Sequence, residues 1–171
     1  MSIVSFKNDV LPLKNELFRL ALRITLNREE AEDIVQETLI KVWNNREKWP
    51  EIDSMEAYSL TICRHLALDK LRRHGNHCES LEGENIPEQA DLSSNPYELM
   101  YQRNRIELVR TLINGLPEKQ RSCMQLRDIE GKAYKDIAAI LGITEEQVKV
   151  NIFRARQTIK QRYQELEKYG L

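Results

Sequence analysis

Apolar residues recur at helical intervals through most of the chain. Between Leu11 and Leu26 they fall at Leu13, Leu17, Leu20 and Ile24, the three-and-four spacing that lines one face of a helix. Asn27, with Glu30 three positions on, reads as the cap of a second helix running to about Arg46, with Ala31, Ile34, Thr38 and Val42 on one face. Pro50 and the Asp53-Ser54 pair mark a turn, after which helical spacing returns from Met55 to Arg73 through Tyr58, Ile62, Leu66 and Leu71. The pattern predicts a three-helix first domain over residues 8–75.

Residues 76–98 break the pattern. They hold proline, glycine, serine and six carboxylates with few apolar anchors, which is the composition of a flexible linker. Helical spacing resumes near Tyr97 and runs to Ile113; Gly115-Leu116-Pro117 then interrupts it, with Pro117 suited to open a new helix. Residues 99–165 are expected to form a second domain. The predicted fold class is all-α: two small helical domains joined by an acidic tether.

Within the second domain, Tyr134 to Val148 has what a helix-turn-helix requires. Ile137 and Leu141 bury the first helix, Ala138 is small where helices cross, and Gly142 suits a left-handed turn. Thr144 caps the next helix, with Gln147 in the reciprocal position of a capping box. That helix sets Val148, Ile152, Ala155 and Ile159 on one face and turns Lys149, Val150, Phe153 and Arg154 outward. Outward apolar side chains suit thymine methyls or sugar edges, and the two cations suit phosphates or guanine edges. A plain terminal bundle helix would instead tuck Phe153 against a neighbour.

Charge sharpens this division. The net charge of −1 conceals a balanced segment 1–75, a net −6 over 76–98 and a net +5 over 99–171. The last segment is basic enough to seek phosphate, and the middle one would be repelled by it. Three cysteines, Cys63, Cys78 and Cys123, form no C-x-x-C pair, and no apolar run nears membrane-spanning length. A reducing, cytoplasmic setting with no membrane insertion is expected.

These residues resemble a family, the bacterial sigma-70 class of RNA polymerase sigma factors, in particular its extracytoplasmic-function (ECF) group. The C-terminal likeness lies in Leu116-Pro117-Glu118, Leu126 to Gly131, Tyr134 to Ala138 and Phe153-Arg-Ala-Arg156. The N-terminal likeness lies in Ala31 to Thr38, Val42-Trp43, Ala57-Tyr58 and Ala67 to Arg73. The resemblance implies a region 2 domain that binds core polymerase and opens the −10 element, and a region 4 domain that reads the −35 element as duplex. It implies that the acidic linker threads the polymerase cleft. Asp33, Gln36 and Glu37 match the stretch that docks on a coiled coil of the largest polymerase subunit's clamp. Arg64, His65, Asp69, Lys70, Arg72 and Arg73 match the −10 region, which holds a melted strand. Gln147, Lys149, Val150, Phe153 and Arg154 match the −35 reading helix. Further implied partners are the flap of the second-largest subunit and an anti-sigma factor. His65, Glu145 to Gln147, and Val150-Asn151 depart from the residues commoner in the family, which bears on promoter sequence and not on the fold.

An autonomous helix-turn-helix regulator is the alternative, but usually needs a dimer and a ligand or receiver domain, for which no segment here is suited. An enzyme would need a phosphate loop, nucleophile elbow or paired catalytic carboxylates, and the sequence offers none. No catalytic residue, cofactor or metal is expected. His74, His77 and Cys78, with Cys63 and His65 near, form the one metal-like cluster, and it lacks a fixed fourth ligand. Cys63 and Cys123 read as small core fillers.

Overall fold

The computed structural model describes residues 3–75 and 96–169. Among these residues every regular element is helical: α1 (Lys14–Thr25), α2 (Arg28–Asn44), α3 (Met55–Gly75), α4 (Pro96–Asn114), α5 (Glu118–Met124), α6 (Tyr134–Leu141) and α7 (Glu145–Lys168). Shorter helical turns occupy Phe6–Val10, Leu11–Leu13, Arg46–Glu51 and Gln125–Ile129. The acidic segment expected between the two halves lies largely outside the described residues.

The first helix begins at Lys14 and not at Leu11, because Pro12 brings the chain in through a tight turn that lacks one N–H. Leu17, Leu20, Ala21 and Ile24 of α1 are fully buried. At Leu26 the backbone turns left-handed, with φ of 58°, and the Leu26 N–H donates to the Leu22 carbonyl at 2.8 Å. A leucine in this conformation costs on the order of 1 kcal/mol. Asn27 then caps α2, its side-chain oxygen accepting from the Glu30 N–H at 3.1 Å.

Along α2, Ala31, Ile34, Val35, Thr38 and Val42 face inward, and the Thr38 hydroxyl donates to the Ile34 carbonyl at 2.6 Å. The helix stops at Asn44. A 3-10 turn over Arg46–Glu51 follows and carries Trp49 beneath Val42, whose carbonyl accepts from the indole N–H at 3.0 Å. With Val10, these side chains make a small second core under the N-terminal residues.

In the other half, α4, α5 and α6 all pack on α7. Pro117 stands as the N-cap of α5, one position before the helix proper.

The two halves are docked on each other, with α1 against α5 and α3 against α6. Their buried side chains merge into one apolar cluster, from Leu17, Leu20, Leu60 and Cys63 on one side to Cys123, Leu126, Ile137 and Ile140 on the other. A pair of domains swinging on a tether would have two separate cores. Polar contacts rim the joint: Arg19 holds Glu130 with two hydrogen bonds of 2.6 and 2.8 Å. Arg23 donates to Gln125 Oε1 and to Asn114 Oδ1, each at 2.9 Å. Lys132 reaches Glu16 at 2.7 Å and is also bonded to Glu56.

Candidate nucleic-acid interface

The geometry of α6 and α7 is set by two backbone devices. Gly142 closes α6 with φ of 68°, and a Cβ built there would meet nothing within 4 Å, so glycine serves the turn and not a close approach. Thr144 then caps α7: its hydroxyl accepts from the Gln147 N–H at 3.1 Å while its own N–H donates to Gln147 Oε1 at 3.0 Å. The amide oxygen of Gln147 is therefore committed to the cap.

From this start α7 buries Val148, Ile152 and Ala155 and presents a different stripe outward. Phe153 is 63% exposed and Val150 44% exposed, and Lys149 and Arg154 are exposed beside them. Phe153 packs in no core, which disposes of the plain bundle-helix reading. Asn151 turns back along the helix, donating to the Gln147 carbonyl at 2.8 Å.

On α3 the predicted cationic set divides. His65, Arg72 and Arg73 are exposed. Asp69 is bonded to Arg72, and Lys70 reaches across to Asp33 of α2 at 3.7 Å. Arg64 is different, being only 6% exposed. Its Nε and Nη2 reach Glu118 Oε1 and Oε2 at 3.3 and 3.2 Å, and its Nη1 faces the Leu141 carbonyl at 3.5 Å. In this arrangement Arg64 belongs to the joint between the two halves.

The α2 set is exposed as expected. Asp33, Gln36 and Glu37 lie on the outer surface, with Glu37 3.9 Å from Lys41. Two residues outside the predicted set continue their stripe: Ile40, 59% exposed, and Trp43, 46% exposed. The steps from residue 33 through 36, 37, 40 and 43 keep them on one helical edge. That spacing was present in the sequence.

Neither described thiol is poised for chemistry. Burial pushes Cys63 up to about 12 and Cys123 up to about 11, and the Cys63 thiol donates to the Leu17 carbonyl at 3.3 Å. Among the described residues, no three His, Cys, Asp or Glu side chains gather as a metal site, and His74 is bonded to Glu30. His77 and Cys78 lie outside the described residues. No helix among them is long and apolar enough to cross a membrane.

The family models agree with the two halves. The sigma-70 region 2 model matches residues 10–77, and the sigma-70 region 4 model matches residues 106–159. The chain belongs to the sigma-70 family. Among its sigma-70 relatives, ECF RNA polymerase sigma factor SigE of Mycolicibacterium smegmatis is 30% identical over 150 residues, covering 85% of this chain and 56% of SigE. ECF RNA polymerase sigma factor EcfG of Rhodopseudomonas palustris is 28% identical over 155 residues, covering 91% of this chain and 83% of EcfG. The ECF RNA polymerase sigma-E factor of Escherichia coli is 29% identical over 144 residues, covering 80% of this chain and 75% of that protein.

Solved sigma factors share the fold. RpoE, in complex with the anti-sigma factor NepR from Bartonella quintana, superposes with a TM-score of 0.75 at 24% identity, over 91% of this chain and 94% of RpoE. CnrH, in complex with the cytosolic domain of CnrY, gives a TM-score of 0.64 at 19% identity, over 93% of this chain and 87% of CnrH. In this sigma-70 chain α7 continues to Lys168, beyond the region 4 match.

Proposed function

We propose that this chain binds core RNA polymerase and directs promoter-specific transcription initiation, with each surface taking one part of the work. The observation that carries the reading is the outward stripe of Lys149, Val150, Phe153 and Arg154 on a capped helix that buries Val148, Ile152 and Ala155 on its opposite face. A helix so anchored can enter a major groove without disturbing its domain. It would read the −35 duplex.

The α2 edge of Asp33, Gln36 and Glu37, extended by Ile40 and Trp43, would dock on the coiled coil of the largest subunit's clamp. Half-exposed tryptophan beside polar groups is the composition of a binding hot spot. Region 4 would meet the flap of the second-largest subunit. His65, Arg72 and Arg73 at the open end of α3 would hold the melted −10 strand. Arg64 can join them only after its partner Glu118 withdraws, so the docked arrangement would be an idle form. An anti-sigma factor, the partner with which RpoE was solved, is the class of protein proposed to hold it.

The test is run-off transcription with purified core polymerase and a library of random promoters. Initiation from a subset sharing two spaced elements supports the reading. A palindromic footprint by the chain without polymerase, and no initiation with it, would make this an autonomous regulator.

A further inference from the structure

The sigma-70 region 2 match begins at residue 10, yet a ring from just before it rests against the exposed edge of α2. Ser5 and Asp9 close this N-terminal turn on itself. The Ser5 N–H donates to Asp9 Oδ2 at 2.6 Å, and the Asp9 N–H donates to the Ser5 carbonyl at 2.8 Å. Val10 is fully buried and ties the turn to the small second core with Val42 and Trp49. Phe6 stands half-buried at the rim of that core, its ring centroid 5.3 Å from that of Trp43 and the two planes at 75°. Such edge-to-face pairs are a preferred arrangement of aromatic rings.

Two further side chains hold the same indole. Trp49 meets it at 6.1 Å and 69°, and the Arg46 guanidinium carbon lies 4.9 Å from its centroid. Both belong to the 3-10 turn after α2, where Arg46 Nη1 also donates to the Trp43 carbonyl at 3.3 Å. Trp43 is nevertheless nearly half exposed. An exposed side chain ordinarily moves between rotamers, and fixing it on binding costs affinity. Here three neighbours from two segments already restrict it. The second core does not call for the contact from Phe6, since Val10, Val42 and Trp49 are buried in it and Trp43 stands outside.

We propose that Phe6 is a positioning residue for core binding, whose ring orients Trp43 so that the last anchor of the α2 edge meets the polymerase clamp preset. The inference rests on the reading of α2 as the docking helix and adds to it a segment that the family match leaves out. Phe6 need not touch polymerase. It removes conformations that Trp43 would otherwise give up on docking, so its effect exists only while Trp43 is present.

The experiment measures the affinity of the full chain for core polymerase with Phe6→Tyr, Phe6→Leu, Trp43→Ala and the Phe6→Leu, Trp43→Ala pair. Trp43→Ala should weaken binding roughly 30-fold. Phe6→Tyr keeps the ring and should bind as the parent does. Phe6→Leu keeps apolar bulk without a ring and should weaken binding about 3- to 10-fold. Added to Trp43→Ala, it should change nothing further. With 5-fluorotryptophan incorporated, the fluorine resonance of Trp43, assigned by its loss in Trp43→Ala, should shift in Phe6→Leu and hold in Phe6→Tyr. If Phe6→Leu does not fold, Phe6→Met takes its place as a ringless apolar filler. Parental affinity or an unmoved resonance in Phe6→Leu overturns the proposal. So does an equal loss with and without Trp43, which would mean that Phe6 touches polymerase itself or serves stability alone. Full retention of core by the Gln36→Arg, Glu37→Arg double variant would instead refute the α2 docking edge, and this inference with it.

Discussion

Arg64 and Glu118, 54 positions apart in sequence, form a two-pronged ion pair across the joint of the two halves, with their side chains 7% and 20% exposed. Removing one partner leaves the other charge without compensation, which at a buried site costs about 3–5 kcal/mol. Glu118→Ala should therefore weaken docking while leaving each helical half folded. Fluorophores placed on α2 and α7 should move apart in this variant, and an unchanged separation would show that the apolar cluster alone sets the arrangement.

Core binding is predicted to depend on the exposed edge of α2. Reversing Gln36 and Glu37 to arginine should abolish co-purification with core polymerase and leave the helical circular dichroism unchanged, because both side chains are exposed. Trp43→Ala should weaken the same complex by about 2 kcal/mol, the range of an aromatic hot spot. Full retention of core by both variants would move the docking surface elsewhere.

Neighbouring residues of α7 should respond in opposite ways to alanine. Phe153→Ala and Arg154→Ala should alter −35 preference, Arg154→Ala costing about 1–3 kcal/mol at one position if it reads a guanine edge. Ile152→Ala should instead destabilise region 4 by about 2–5 kcal/mol and leave the preference as it was. Selection from randomised −35 sequences by each variant holoenzyme separates the two outcomes. Parental preference in both Phe153→Ala and Arg154→Ala would mean that this stripe does not read the promoter.

Much of this surface was legible in the sequence, because its signals are local. Asn27, Gly142, Thr144 and Gln147 each serve a turn or cap that involves only near neighbours, so residue type and spacing sufficed. The docking of the halves was not legible. An apolar face at Leu17, Leu20 and Ile24 announces that it will be buried, but the pattern does not specify by what. Arg64 shows the same limit more sharply. Grouped with Lys70, Arg72 and Arg73 it reads as part of a basic end, yet it follows Leu60 by four and precedes Ala67 by three, both buried. That spacing puts it on the inward face, a signal the charge count obscured. The turn at Arg46–Glu51 escaped for another reason: a 3-10 segment this short leaves no periodicity to read.

The cluster of Glu16, Glu56 and Lys132 should make the docked state respond to pH. Burial raises Glu16 above its ordinary value of 4.5, despite the bond from Lys132. Burial also opposes ionisation of Glu56, but the bonds from Lys132 and Glu16 hold it lower. A carboxyl raised by folding adds stability in its protonated form, and that contribution is lost as pH climbs through the raised value. Glu16→Gln cannot lose it, so the melting temperature of this variant should gain on the parent as pH rises from 4 to 8. A difference between the two that does not vary with pH would place the charge of Glu16 outside the linkage.

The thiols Cys63 and Cys123 should resist alkylation in the folded chain. Burial pushes the Cys63 thiol up to about 12 and the Cys123 thiol up to about 11, so the reactive thiolate is scarce at pH 8. Iodoacetamide with mass-spectrometric readout should modify both residues readily in urea and hardly at all without it. Equal labelling in both conditions would show that the joint opens freely.

The shared apolar cluster has a consequence for competition among sigma factors. Under the proposal that the docked arrangement is idle, opening this joint would carry a toll, because only the open fraction of the molecules would have Arg64 free to join the −10 surface. Apparent affinity falls by that fraction, and every 1.4 kcal/mol invested in the closed form weakens it about tenfold. Side chains such as Leu17, Ile137 and Ile140, buried in that joint, would thereby help set the cellular abundance at which this factor begins to displace its rivals.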